Sequence, residues 1–308
     1  MLDVRRLLIL REVARHGSFS AAARALKYSQ SAVSQQIATL EREADVRLIE
    51  RIGRTVRLTD AAWTLVRRTE VIVAELAAAD AELRALASGH GGRIRLSTFV
   101  SAATSLVPAA LARFRATHPK VEVELSLVES PTDAMGRVRA GEVDLALLVQ
   151  PLDPPATGPT SPTGIRLHPL LDDPMLAVLP AGHRLASQPE IALTALAREP
   201  WVLGGGADCP DRDLILRACR MTGSEPAVAI RFPTDDYNAV QGIVAASAGV
   251  TVLPRLALAV PRADVVTRPL SGGLARRVVA ATGETVPAAV RAALDLLLSA
   301  NAHTGPAA

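Results

Sequence analysis

Residues 18–42 read SFSAAARALKYSQSAVSQQIATLER, and this stretch decides how the N-terminal part of the chain folds. Phe19, Ala22, Ala23 and Leu26 fall at helical spacing, a polar break follows at Lys27 to Gln30, and Ala32, Val33, Ile37 and Leu40 resume the period. The pattern predicts two short helices joined by a tight turn. Ser18 and Ser29 stand where a hydroxyl can accept a hydrogen bond from an orphan amide of each first turn. The second helix carries Gln30, Ser31, Ser34, Gln35 and Thr39 on its polar side. These small or amide side chains can approach base edges without bulk, whereas an ordinary solvated helix favours Glu and Lys. The plain alternative is a solvated helical hairpin within a bundle.

Working outward, residues 3–15 form a further helix with Val4, Leu7, Leu8, Leu10, Val13 and Ala14 as its apolar stripe and Arg5, Arg6, Arg11 and Arg15 outside it. After Leu48, residues 51–58 alternate around Gly53 as a two-stranded wing would, and Arg54 and Arg57 hang there as candidates for phosphate or minor-groove contact. Residues 1–59 hold 11 Lys plus Arg against 6 Asp plus Glu, while the remainder holds 23 against 25, so basic charge is concentrated where a phosphate-binding surface needs it. With aromatic residues at 3%, stacking on single-stranded bases is not the expected mode.

From Asp60 to Ser88 there is neither Pro nor Gly, and Ala62, Leu65, Thr69, Ile72, Leu76, Ala79, Leu83 and Leu86 recur at alternating steps of three and four. One long helix with a narrow apolar seam needs a partner for it, a second copy or its own globular domain.

The chain here resembles the LysR-type transcriptional regulators. The resembling residues are His16-Gly17-Ser18-Phe19, Ala22-Ala23, Leu26, Ser29-Gln30-Ser31-Ala32-Val33-Ser34, Ile37 and Leu40-Glu41, continued by Arg51 and Leu58-Thr59. Ala44-Asp45 stand where the family usually has Leu-Gly, Ile49 where it has Phe, and Ala62 where it has Gly. The resemblance implies an α/β protein with an N-terminal winged helix-turn-helix at 1–59, a long linker helix at 60–89 that pairs two subunits, and a two-lobed periplasmic-binding-protein-like effector domain at 90–308. Its implied partners are a pseudopalindromic double-stranded operator, a small-molecule effector, and further copies of the chain as homodimer and tetramer, with RNA polymerase left open as another. A homodimer places its two recognition helices one turn of DNA apart or a multiple of it.

Gly89-His90-Gly91-Gly92 ends the long helix. Beyond it a strand at 93–99, helix at 104–117, strand at 121–128, helix at 133–140 and strand at 143–149 form a β-α-β-α-β rhythm that implies a parallel sheet with covered faces. Residues 150–164, QPLDPPATGPTSPTG, are too rich in proline for regular structure and mark a crossover or surface insertion. A second lobe is expected at 164–266, with strands at 165–171, 175–180, 201–203 and 228–232 and helices at 211–222 and 235–246. The chain then returns to the first lobe, 92–150 and 267–302. Val107-Pro108, Phe114, His118-Pro119, residues 141–146, Val244-Ala245-Ala246 and Leu253-Pro254 carry the resemblance in this part, and Ser247 stands where the family often has Gly.

Open α/β sheets bind ligands at the carboxyl ends of strands, near helix N-termini whose free amides favour anions. That selects Ser101 and Thr104, Ser130 and Thr132, Gly204, Gly205 and Gly206, and Thr234 as candidate effector contacts, with ordinary helix capping as the alternative role of each hydroxyl. The resemblance singles out Ser101. The expected ligand is a small anionic metabolite held between the lobes.

Competing chemistries have thinner support. Cys209 and Cys219 suit a thiol or peroxide sensor, as in the peroxide-responsive branch of the family, but Pro210 follows directly and buried cysteines are commonly inert. The six histidines form no close ligand pair, and CxxC, phosphate-loop and nucleophile-elbow motifs are missing, so no catalytic residue, metal or cofactor is expected. A free-standing solute-binding protein would leave residues 1–88 without purpose. No run of about eighteen apolar residues occurs, and charges flank the short apolar run near the N-terminus. A cytoplasmic protein without a signal peptide and without a membrane partner is expected.

Overall fold

Asp3 opens the first helix, α1 (Val4–His16), by accepting from the Arg5 amide at 2.8 Å, and Gly17 in the left-handed conformation closes it. This and all that follows is read from a computed structural model, which describes residues 2–52, 55–88, 92–128, 130–152, 164–206 and 209–300. The chain divides into two compact units, one of Met1–Ala79 with Arg139–Gly141 and one of Asp80–Val138 with Glu142–Ala308.

In the first unit the serine caps do what their positions predict. Ser18 Oγ accepts from Ala21 N at the start of α2 (Phe19–Leu26), and Ser29 Oγ accepts from Ala32 N at the start of α3 (Gln30–Ala44). Leu10, Val13, Ala22, Val33, Ile37 and Leu40 form a closed core, so the apolar stripes of the three helices face each other. The wing is an antiparallel pair, β1 (Ile49–Ile52) and β2 (Thr55–Leu58). Glu41 Oε1 accepts from the Leu48 and Ile49 amides at 2.7 and 3.0 Å, tying the end of α3 to the start of the wing. Ala62 and Val66, from the first turns of α4 (Asp60–Ser88), complete this core. The seam therefore divides. Ala62 and Thr69 are buried, Ala62 within the core of the first unit, whereas Leu76 and Leu83 are 57% and 65% exposed.

The second unit has two lobes. Lobe I is built on a sheet in which β4 (Glu122–Leu127), β3 (Arg93–Thr98) and β5 (Leu145–Pro151) run parallel, and β11 (Ala275–Gly283) and the first half of β6 (Ile165–Pro180) join antiparallel. Helices α5 (Val100–Thr104), α6 (Leu106–Thr117) and α7 (Pro131–Arg139) follow β3 and β4. The core on one face is closed by α6 and by α11 (Ala288–Ala300), and that on the other by α7. Lobe II pairs β7 (Pro200–Gly204) with β8 (Ala227–Phe232) in parallel, and sets β9 (Thr251–Pro254) and β10 (Val265–Pro269) against the second half of β6. Its helices are α8 (Leu193–Leu196), α9 (Pro210–Met221) and α10 (Tyr237–Ala245). Trp201, wholly buried, donates its indole N–H to the Leu196 carbonyl at 2.7 Å in the lobe II core.

Two boundaries differ from the sequence reading. The strands expected at 165–171 and 175–180 are one strand of 16 residues, because Pro174 sits where β6 exchanges partners: up to that point it pairs with β11, beyond it with β9 and β10. Residues 165–173 therefore belong to the sheet of lobe I, and 265–269 to that of lobe II. A strand can hold a proline where the ladder changes hands, since its missing donor costs no bond there. The crossover insertion at 153–163 lies outside the described residues.

Candidate functional site

Where β6 passes between the lobes beside the start of β11, Arg276 stands directly opposite Asp173. Both are buried, at 2% and 1% exposure. Arg276 donates through Nε and Nη2 to Asp173 Oδ2 at 3.0 and 2.8 Å, through Nη1 to Asp211 Oδ2 at 2.7 Å, and through Nη2 to Ser101 Oγ at 2.8 Å. Its guanidinium lies over the Phe99 ring, 5.2 Å from the centroid. One side chain at the start of β11 thus holds α5 of lobe I and α9 of lobe II together. Burial opposes the charge on Arg276, but the carboxylates of Asp211 and Asp173 outweigh it and keep the group protonated. For Asp173 burial wins in the other direction and lifts the carboxyl above its usual range, against the pull of Arg276 and the Leu256 amide.

Beside this cluster is a cavity of about 230 Å³. Lobe I contributes Phe99, Val100, Ser130 and Leu147 to Val149, lobe II contributes Gly206, Cys209, Asp211, Asp235 and Tyr237, and Arg276 closes the end between them. A smaller recess lined by Gly204, Gly205, Arg212 and Thr234 adjoins it through shared residues Cys209, Asp211, Asp235 and Tyr237. Burial, with the charge on Asp211, pushes the Tyr237 phenol well above its ordinary range, so it stays a neutral donor. Gly205 lies at φ +79°, and a Cβ there would meet Cys209 Sγ at 2.5 Å, so only glycine lets this loop pass so close to the start of α9.

Of the candidate effector contacts, Ser130 lines the main cavity, Gly204, Gly205 and Thr234 line the recess, and Ser101 lies behind the wall, spent on Arg276. Thr104 is exposed with its hydroxyl donated back to the Val100 and Ser101 carbonyls, and Thr132 is exposed away from both spaces. Capping accounts for the other hydroxyls: Ser130 Oγ accepts from Asp133 N, and Thr234 Oγ1 from Asp236 N. Arg276, Asp173, Asp211 and Tyr237 escaped the sequence reading. Their only trace in it is charge inside strand-like runs, at Asp172-Asp173 and Arg276-Arg277.

Cys209 precedes α9 and Cys219 lies in its last turns. Ten residues of helix separate their Cα atoms by about 15 Å, against the roughly 4–7 Å a disulfide spans. Burial also pushes both thiols up. Pairing these two sulfurs would require α9 to unwind.

In the first unit, Gln30, Ser31 and Gln35 are exposed along α3, Ser34 and Thr39 are half-buried, and Arg57 is exposed on the wing. Gln30 Oε1 accepts from Ser20 Oγ at 3.0 Å, Ser29 and Ser31 share a hydrogen bond, and Thr39 Oγ1 accepts from Arg42. Arg54 lies outside the described residues. Tyr28, passed over in the sequence, stands 56% exposed just before the Ser29 cap. It is held there by the left-handed turn at Lys27 and a bond from its amide to the Ala23 carbonyl.

Comparisons with known proteins agree with this anatomy. Residues 4–63 match the family model for the bacterial regulatory helix-turn-helix protein, lysR family, and residues 87–302 match that for the LysR substrate binding domain. Over 263 residues the chain is 30% identical to the transcriptional dual regulator GltC of Bacillus subtilis (strain 168), covering 82% of this chain and 81% of that one. It is 31% identical over 246 residues to a probable hydrogen peroxide-inducible genes activator of Mycobacterium leprae (strain TN), covering 80% and 75%. Full-length CbnR complexed with its target DNA shares the fold at a TM-score of 0.59 and 19% identity, covering 97% of this chain and 100% of that one.

Proposed function

That this chain belongs to the LysR family of DNA-binding transcription regulators, with an effector-binding domain after its helix-turn-helix, is the premise from which we propose how it works. Two copies associate through the exposed half of the α4 seam, at Leu76 and Leu83, and dimers pair further into tetramers. Each dimer presents two α3 helices to a pseudopalindromic operator in double-stranded DNA. Gln30, Ser31 and Gln35 meet base edges, Ser29, Ser34 and Thr39 support them, and Arg54 and Arg57 of the wing meet phosphates. A small effector occupies the cavity between lobes I and II and shifts the population of lobe arrangements, and with it the spacing of the recognition helices and the bend of the DNA. RNA polymerase is the further partner in this scheme, and the cytoplasm is where it operates.

The observation that carries the effector part is the Arg276 cluster, because a ligand beside it touches groups from both lobes. The test is a footprint on the DNA upstream of the gene, with and without candidate metabolites, repeated on two variants. Gln35→Ala should relax preference at individual base pairs by about 1–3 kcal/mol each, while Arg57→Ala should weaken all sequences alike and flatten the salt dependence by about one unit. Protection indifferent to both substitutions would remove α3 and the wing from the interface.

A further inference from the structure

We infer that the interlobe cavity selects a ligand carrying a protonated nitrogen, an amine or a guanidinium, in place of the anion that open helix N-termini would favour. The inference rests on the reading of this cavity as the effector site and gives that site a ligand class.

The charge balance points this way first. Arg276 is the one cation among the described residues lining the main cavity, and its Nε, Nη1 and Nη2 are engaged by Asp173, Asp211 and Ser101. Against it stand Asp173 and Asp211, bonded to it, and Asp235 on the cavity wall. Arg212 lines the adjoining recess and pairs with Asp213 at 3.7 Å, and even with its charge counted the carboxylates are in excess. An anion entering here meets a surplus of carboxylate.

The second observation is independent of that balance. Asp211 is 8% exposed and lines the cavity, and while its Oδ2 accepts from Arg276, its Oδ1 is buried without a hydrogen-bond partner. A buried acceptor of this kind calls for a donor. An ammonium or guanidinium beside Oδ1 supplies one, and Asp235 offers a second carboxylate to the same group.

The N-termini of α10 and α7 at the cavity, third, are closed by side chains of the chain itself. Asp236 Oδ1 accepts from the Asn238 and Ala239 amides at 3.0 Å each, Ser130 caps α7, and α9 begins with Pro210, which has no N–H, followed by Asp211 and Asp213 in its first turn. The start of α5, after Phe99, has no side-chain cap, while the lobe II side of the cavity offers an anion carboxylates in place of free amides. The remaining wall, Phe99, Val100 and Leu147 to Val149, is mainly apolar and suits a short hydrocarbon body. The ligand class is therefore a small amine or guanidine with an apolar portion.

The test uses full-length protein and matched probes: isopentylamine and agmatine against isovalerate and glutarate, read by thermal shift and calorimetry. At least one cationic probe should bind ten times more tightly or better than either carboxylate. Its affinity should fall at least tenfold in Asp235→Asn, an exposed position that leaves the fold intact. Carboxylates binding as tightly as the amines, no binding by either amine, or amine binding indifferent to Asp235→Asn overturns the inference. Gly206→Trp separates this from the premise, since open space surrounds Gly206 and the indole would fill the cavity. Carboxylate binding abolished by Gly206→Trp sinks the ligand class alone, whereas binding of either class that survives it sinks the effector site as well.

Discussion

Replacing Arg276 by Met keeps most of the side-chain volume and removes the charge. Asp173, 1% exposed, then keeps only the Leu256 amide at 3.1 Å, and Asp211 loses the partner of its one bonded oxygen. Removing one member of a buried ion pair costs about 3–5 kcal/mol, and at about 2–4 °C per kcal/mol for a domain of this size the melting temperature of the second unit should fall by roughly 6–20 °C. In a Trp63→Phe background, which removes the tryptophan of the first unit, fluorescence of the buried Trp201 reports the second unit during denaturation. The pH dependence follows from Asp173, whose carboxyl burial already lifts above its unfolded value. A folded state that holds its proton to higher pH than the unfolded chain loses stability as pH rises from the unfolded pKa through the raised one. Without Arg276 that loss grows, so the deficit of Arg276→Met should be smaller at pH 4 than at pH 7.5. Adding Asp173→Asn should recover part of it at pH 7.5. A melting temperature within about 2 °C of the parent at both pH values, less than 1 kcal/mol by the same conversion, would refute the view that this cluster clamps the lobes.

Three further outcomes are expected. Leu76→Glu with Leu83→Glu should shift the protein to a smaller species in analytical ultracentrifugation, since both lie on the exposed half of the α4 seam; unchanged mass would put the subunit contact elsewhere. Peroxide treatment should leave two titratable thiols and no Cys209–Cys219 bond by mass spectrometry, because α9 keeps them apart. Ser247, at φ 59° just past α10, should raise the melting temperature when changed to Gly, the left-handed strain of about 1–2 kcal/mol outweighing the extra chain entropy of about 0.5–1 kcal/mol. A lowered melting temperature would show that the serine contributes more than its backbone costs.

What the sequence discloses here depends on how local the cause is. The helix-turn-helix is legible because its determinants sit within a few residues of each other: the Ser18 and Ser29 caps, the periods of Ala22-Ala23 and Val33-Ile37-Leu40. Departures from the family pattern are equally readable once the backbone is known. Asp45 and Ser247 both stand in place of a customary glycine, and both are left-handed. The Arg276 cluster is illegible for the opposite reason. Its partners lie 103, 65 and 175 residues away along the chain, and no spacing rule reports contacts over such separations. Pro174 had the same effect on β6, where a local breaker suggested two strands and tertiary pairing made one. Hydroxyls near strand ends were readable as positions, but their use as caps depends on which amides turn toward them.

Asp211 joins these threads, because its two oxygens have different tasks. Oδ2 is part of the clamp on Arg276, and Oδ1 faces no partner. A cation on Oδ1 adds a bond to the arrangement in which the clamp is closed. An anion drawn to Arg276 would have to compete with Asp211 Oδ2 for Nη1, and so would favour an arrangement in which α9 has moved off. A ligand shifts such an equilibrium only by its difference in affinity for the two arrangements, tenfold corresponding to about 1.4 kcal/mol. The sign of the response is thus tied to the charge of the effector: if the ligand is the amine inferred above, its binding is expected to favour the arrangement of lobes described here.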